Sequence, residues 1–148
     1  MNAHTKSARL TLCLTFLILI TVIAAAVTLP WLTDWYIGKT GRNKELRSVI
    51  MTVCYICLPA ALAALYSLIR LLKNILDGEI FIHGNVLHLR LLSWYCAAVA
   101  LITLAAGYFY LPFYLVGLAA VFFTLILRVI KNVFAAAIEI KTENELTV

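Results

Sequence analysis

RLLKNILDGEIFIHGNVLHLR, residues 70–90, is a polar interruption between long apolar runs. It holds three basic residues (Arg70, Lys73, Arg90), two acids (Asp77, Glu79) and two of the chain's three histidines (His83, His88). Ile69, Leu72, Ile75 and Leu76 keep helical spacing, so the preceding helix is expected to run into this stretch. Arg70 and Lys73 suit the negative end of that helix's dipole. Asp77-Gly78 then reads as a stop, and Ile80-Phe81-Ile82 as a short extended piece. Gly84-Asn85 is a second break, with Asn85 the expected cap of the next helix. Phe81, between two glycine breaks, is expected to be a buried loop anchor under the bundle. His83 and His88 stand five apart, the wrong interval for one helical face, so they are not read as a metal pair.

Outward from this stretch the chain is apolar. It has 148 residues, 64% of them hydrophobic, with a mean hydropathy of +1.00. A soluble domain of this size needs far more polar surface, which excludes the ordinary soluble enzyme. Bilayer-length apolar runs, each of ~20 residues, recur four times, at about 10–29, 48–70, 89–110 and 113–130. The expected fold is all-α: a polytopic membrane protein forming one four-transmembrane-helix bundle over residues 1–148. The net charge of +5 is first a topology signal and gives no reason for direct nucleic-acid contact. With both termini inside, eight basic residues lie in cytoplasmic segments: Lys6, Arg9, Arg70, Lys73, Arg90, Arg128, Lys131 and Lys141. Four lie outside: Lys39, Arg42, Lys44 and Arg47. The bias favours a cytoplasmic N-terminus, a cytoplasmic loop at 70–90 and a cytoplasmic tail at 131–148.

The first run could end in a signal-peptidase site at Ala24 to Ala26, but it continues to Leu29 and closes on Pro30-Trp31. A retained span anchored by Trp31 and Trp35 is the simpler reading. Thr11, Thr15, Thr21 and Thr28 can return their hydroxyls to the preceding turn. Residues 30–47 read as an outer loop broken by Gly38 and Gly41. In the second span Pro59 removes a backbone bond to the Tyr55 carbonyl and should kink the helix. Cys54 and Cys57 form a Cys-x-x-Cys pair there. A metal site needs about four ligands, and none accompany them at that depth. A thiol–quinone oxidoreductase would need a second relay pair, and Cys13 and Cys96 are separate residues inside apolar runs. The plainer reading makes all four cysteines small buried hydrophobes.

Trp94 and Tyr95 mark one end of the third span, Tyr108 and Tyr110 the other, as an aromatic belt does. Leu111-Pro112 is an expected tight turn. Arg128 ends the fourth span and can snorkel to the interface. The helix is expected to continue through Lys131 to about Ile140, followed by the polar tail KTENELTV. No acid lies deep in any span, which argues against a proton- or cation-coupled carrier. No metal and no cofactor are expected. The halves also echo each other: Arg70-x-x-Lys73-Asn74 matches Arg128-x-x-Lys131-Asn132. Such an echo is consistent with two helical hairpins in the same orientation.

The loop elements Gly78-Glu79-Ile80-Phe81, Asn85 and Leu89-Arg90, with the tail Glu143-Asn144-Glu145-Leu146-Thr147-Val148, carry a family resemblance. The chain resembles a group of bacterial membrane proteins of unknown function, family two-nine-seven-five (DUF2975), with four spans. Ile80 stands where that pattern has proline, and Glu145 where it has aspartate. The resemblance implies a bacterial cytoplasmic (inner) membrane. It also implies gene neighbours that are very small helix-turn-helix regulators, and through them a membrane-held regulatory partner. Three functions compete. The first is a non-enzymatic protein that docks a cytoplasmic partner through Arg70, Lys73, Phe81, Asn85, Arg90, Glu143, Asn144, Glu145 and Leu146. The second is a small transporter or export-resistance protein, suggested by Pro59, the aromatic-rich spans and the repeat. The third is the thiol redox enzyme. The docking reading leads, with the lipid bilayer and a cytoplasmic protein as partners and an oligomer admitted.

Overall fold

The structure is a computed structural model, and it describes residues 3–147. The last residue of the expected docking tail, Val148, therefore lies outside the described residues. Four α-helices follow one another: α1 (Ala3–Thr40), α2 (Lys44–Leu76), α3 (His83–Ala106) and α4 (Pro112–Leu146). No strand occurs among the described residues. All four helices are long and apolar enough to cross a membrane. The all-α, four-span architecture expected from the apolar runs is thus the one observed.

The helices are longer than the apolar runs. A helix of 33 to 38 residues, as α1, α2 and α4 are, rises roughly 50 Å or more, against ~30 Å of hydrocarbon. The expected outer loop at 30–47 shrinks to a turn at 41–43, because α1 continues through Pro30 and Gly38 to Thr40. The turn itself is made by Gly41, at φ 62°, whose N–H donates to the Ile37 carbonyl over 2.9 Å.

How α1 passes a proline has a specific answer. Pro30 has no N–H, so the carbonyl four residues back, that of Ala26, loses its helical donor. The Tyr55 hydroxyl of α2 donates to that carbonyl at 3.1 Å. The neighbouring helix thereby satisfies the group that lipid cannot. Tyr55→Phe leaves the carbonyl without a donor and is expected to cost ~1–3 kcal/mol. A lowered midpoint in detergent unfolding would show it, and an unchanged midpoint would mean that the bond contributes nothing.

Each helix packs on its chain neighbour: α1 on α2, α2 on α3, α3 on α4. Among the described residues the backbones of α1 and α3, α1 and α4, and α2 and α4 do not approach closely. The α3–α4 seam is the tightest. On α4 the less exposed residues Phe113, Gly117, Ala120, Thr124, Leu127 and Lys131 recur at alternating steps of three and four, a coiled-coil seam. Gly117 lets α4 settle directly against Leu104 of α3.

The buried hydrophobic residues Ile69, Leu71, Leu72, Leu89 and Leu92 gather toward the end of the bundle that carries the 77–82 connection, here called the loop end. At the opposite end the Tyr36 and Tyr110 hydroxyls bond at 2.7 Å, and the Arg42 guanidinium lies 5.4 Å from the Tyr110 ring centre. The bond to Tyr36 and burial hold the Tyr110 phenol above its usual range. Nearby, Arg47 at the start of α2 pairs with Asp34 of α1. The two contacts to Tyr110 tie the first helix and its following turn to the last hairpin, and the Arg47–Asp34 pair ties α1 to α2. The cysteines are not a buried set: all four are free, Cys13 is exposed, and Cys54, Cys57 and Cys96 are half-buried.

Candidate functional site at the loop end

The connection between α2 and α3 is a closed hydrogen-bonded unit. Gly78, at φ 84°, follows the Asp77 cap of α2. Its N–H donates to Ile75 O at 3.2 Å, and the Glu79 N–H donates to Asn74 O at 2.9 Å. This is the paired pattern of a Schellman cap, in which glycine supplies the left-handed residue.

Asn85 then fixes the path of the loop into α3. Its side chain does not cap α3; the residue before that helix is Ile82, and no side chain bonds the helix start. Instead Asn85 is fully buried, at 0% exposure. Its Nδ2 donates to the carbonyls of Glu79 and Ile80, both at 2.8 Å. Its Oδ1 accepts from Asn74 Nδ2 at 2.7 Å. One side chain thus ties the end of α2, the loop and the start of α3 together. Asn132, the counterpart of Asn74 in the sequence echo, is exposed. The two Arg-x-x-Lys-Asn segments therefore differ in what their asparagines do.

Held this way, the loop presents Phe81 toward α4. The ring is 43% exposed, not the buried anchor expected, and its centre lies 5.7 Å from that of Phe134. Helix α4 does not fade into a polar tail after Ile140; it stays helical to Leu146. Lys, Glu and Leu favour helix, and the Thr142 hydroxyl bonds back to the Ile138 carbonyl at 2.9 Å. Phe81 and the last turns of α4 (Ala137, Ile140, Lys141, Asn144 and Glu145) line one open groove of about 700 Å³.

Of the nine residues read from the sequence as a docking set, Phe81, Asn144 and Glu145 line this groove. Asn85 lies beneath it as the loop clamp. Glu143 and Leu146 are exposed beyond it, Leu146 at 82%. Arg70, Lys73 and Arg90 are exposed and do not line it. Ala137, Ile140 and the Phe134 platform were not singled out in the sequence. Phe134 continues the three-four stripe of α4 past Arg128 toward buried Ile138, whereas Ala137 and Ile140 lie beside that stripe.

Among the described residues no group of three or more His, Cys, Asp and Glu could hold a metal. Cys54 and Cys57 line a separate apolar groove of about 270 Å³ against Ala25, Ala26 and Leu29 of α1. A family model described as "Protein of unknown function (DUF2975)" matches residues 4–148. The chain belongs to the DUF2975 family. The match takes in all four helices, the clamped loop and the groove. No curated protein and no solved structure matches this DUF2975 chain.

Proposed function

We propose that this DUF2975 protein is a non-enzymatic membrane protein that holds a cytoplasmic protein at its loop end, with both termini on the cytoplasmic side. The observation that carries the reading is the shared groove: Phe81 and the last turns of α4 offer one apolar floor with a charged rim. The Asn85 clamp keeps the loop in place, so the surface is pre-formed and little ordering is needed on binding. The end of α4 carries Glu139, Glu143 and Glu145 against Lys141, an excess of negative charge. That suits a basic partner, and a small helix-turn-helix regulator of the kind the family resemblance suggests is basic where it meets DNA.

Size decides which contacts matter. An exposed ion pair contributes only ~0.2–1 kcal/mol, so Glu145 tunes binding. Burying an aromatic ring contributes ~1.5–3 kcal/mol, so Phe81 dominates. With the purified regulator titrated against the protein in lipid nanodiscs, Phe81→Ala should weaken binding about tenfold or more. Glu145→Gln should weaken it by a few-fold at most, and truncation after Ile140 should abolish it. A truncated protein that binds as well as the full chain would overturn the reading.

Orientation supplies a second test. The excess of basic residues at the loop end favours that end inside. Reporter fusions after Gly41 should report the outside, and fusions after Gly78 and Leu146 the cytoplasm. The reverse pattern would remove the groove from the cytoplasm and end the proposal.

A further inference from the structure

Arg90, the basic residue of the 70–90 stretch that belongs to α3, takes part in a different arrangement. It stands one turn before Trp94, so the two share a face of the helix. That face is opposite the one carrying buried Asn85, Leu89, Leu92 and Ser93. Arg90 and Trp94 are exposed, Trp94 at 57%. From α4, the exposed Arg128 reaches across the seam, and its guanidinium carbon lies 5.1 Å from the centre of the Trp94 ring. The Arg128 guanidinium is thus stacked on the indole, and Arg90 starts one turn nearer the loop end on the helix face that carries Trp94.

Among the described residues neither arginine forms an ion pair with a carboxylate; the Asp34–Arg47 pair lies at the opposite end of the bundle. Along α4 the first acid after Arg128 is Glu139, three turns away. Two like charges beside an apolar wall repel more than they would in bulk water, because the dielectric is lower there. An anion between them removes that cost. Guanidinium is suited to the task, since its fork meets two oxygens of a phosphate at once.

The surroundings say which anion. Leu101 lies seven residues after Trp94, and Leu125 and Val121 lie three and seven before Arg128. Those intervals keep them on the same sides of their helices, directed away from the loop end. All three are exposed apolar side chains. A cationic, aromatic patch continued by an apolar strip has the profile of a phospholipid, a phosphate followed by acyl chain. We infer that Arg90, Trp94 and Arg128 bind the phosphate of an anionic phospholipid headgroup, with its acyl chain along Leu101, Val121 and Leu125. Basic sites between membrane helices bind such headgroups through this chemistry. The site is separate from the Phe81 groove and does not depend on it.

Trp94 is its own reporter. With Trp31→Phe and Trp35→Phe it becomes the sole indole of a chain that has three tryptophans. The full-length protein is placed in nanodiscs containing a small, equal fraction of brominated phosphatidylglycerol or of brominated phosphatidylcholine. The expected result is stronger quenching by phosphatidylglycerol, a preference of roughly fivefold for each guanidinium engaged. Arg90→Gln with Arg128→Gln should bring the two lipids level at unchanged helicity. Arg90→Lys with Arg128→Lys should keep a reduced preference, and Phe81→Ala should leave it intact. Equal quenching in the chain that retains both arginines would overturn the inference without reference to any arginine variant. Inorganic phosphate that erases the preference at constant ionic strength would assign the site to the free ion and overturn it as well.

Discussion

Asn85→Leu should free the loop end from its clamp and lower stability by roughly 3 kcal/mol or more. The substitution removes one amide but leaves three polar atoms behind. Glu79 O and Ile80 O lose their donor, and Asn74 Nδ2 loses its acceptor. Each such group, once buried without a partner, costs ~1–3 kcal/mol. The apolar gain from leucine does not offset three of them at a position with 0% exposure. Asn85→Asp should be no milder, since it points carboxylate oxygens at two carbonyls. The measurements are the unfolding midpoint in detergent and proteolysis within residues 77–82, which should become cleavable. Partner binding through Phe81 should fall in parallel, although no groove residue has changed. A normal midpoint and a resistant loop would show that the hydrogen bonds of Asn85 are dispensable.

Gly117→Ala should destabilise the protein by ~1–3 kcal/mol, the cost of overpacking, although alanine is the better helix former. In an open helix this exchange gains up to ~1 kcal/mol. At Gly117 the added carbon would lie 2.6 Å from Cγ and Cδ2 of Leu104 and 3.1 Å from its backbone nitrogen. The clash is with the root of a side chain and with backbone, so α4 has to move. Overpacking therefore wins over propensity, and Gly117→Val should cost more. Gly38→Ala is the matched control: Gly38 is helical too, and nothing lies within 4 Å of its added carbon, so this variant should be neutral or stabilised. Leu104→Ala should relieve part of the Gly117→Ala penalty, and a double-mutant cycle measures that coupling. Equal effects at Gly117 and Gly38 would show that the seam is not close-packed.

The parts that were legible in the sequence depend on local pattern. Four apolar runs of bilayer length announce four helices, and Asp77-Gly78 announces the end of α2. What the sequence concealed depends on residues distant along the chain. Pro30 looks like a terminus because its missing N–H orphans a carbonyl, and nothing nearby reveals that Tyr55 supplies the donor. Asn85 looks like a cap because it stands just after a break, yet its partners lie five to eleven residues back and meet it only when the loop folds over. Phe81, Asn144 and Glu145 were readable as odd residues in their settings. Phe134, Ala137 and Ile140 were not, because an apolar residue on an apolar helix is unremarkable. Arg90 was legible as a charge but not as a direction. Its spacing puts Trp94 on the same helix face, and only the structure shows that Arg90 does not line the groove.

The row of neighbours has a consequence for how the chain is made. A ribosome delivers α1 first, and each later helix finds its main partner already in the membrane. None has to wait unpaired for a helix not yet translated, so assembly can keep pace with synthesis. The Tyr36–Tyr110 bond departs from that order, since its two residues are 74 apart. Tyr36 leaves the ribosome long before Tyr110 exists. That contact closes late, joining the oldest helix to the newest hairpin.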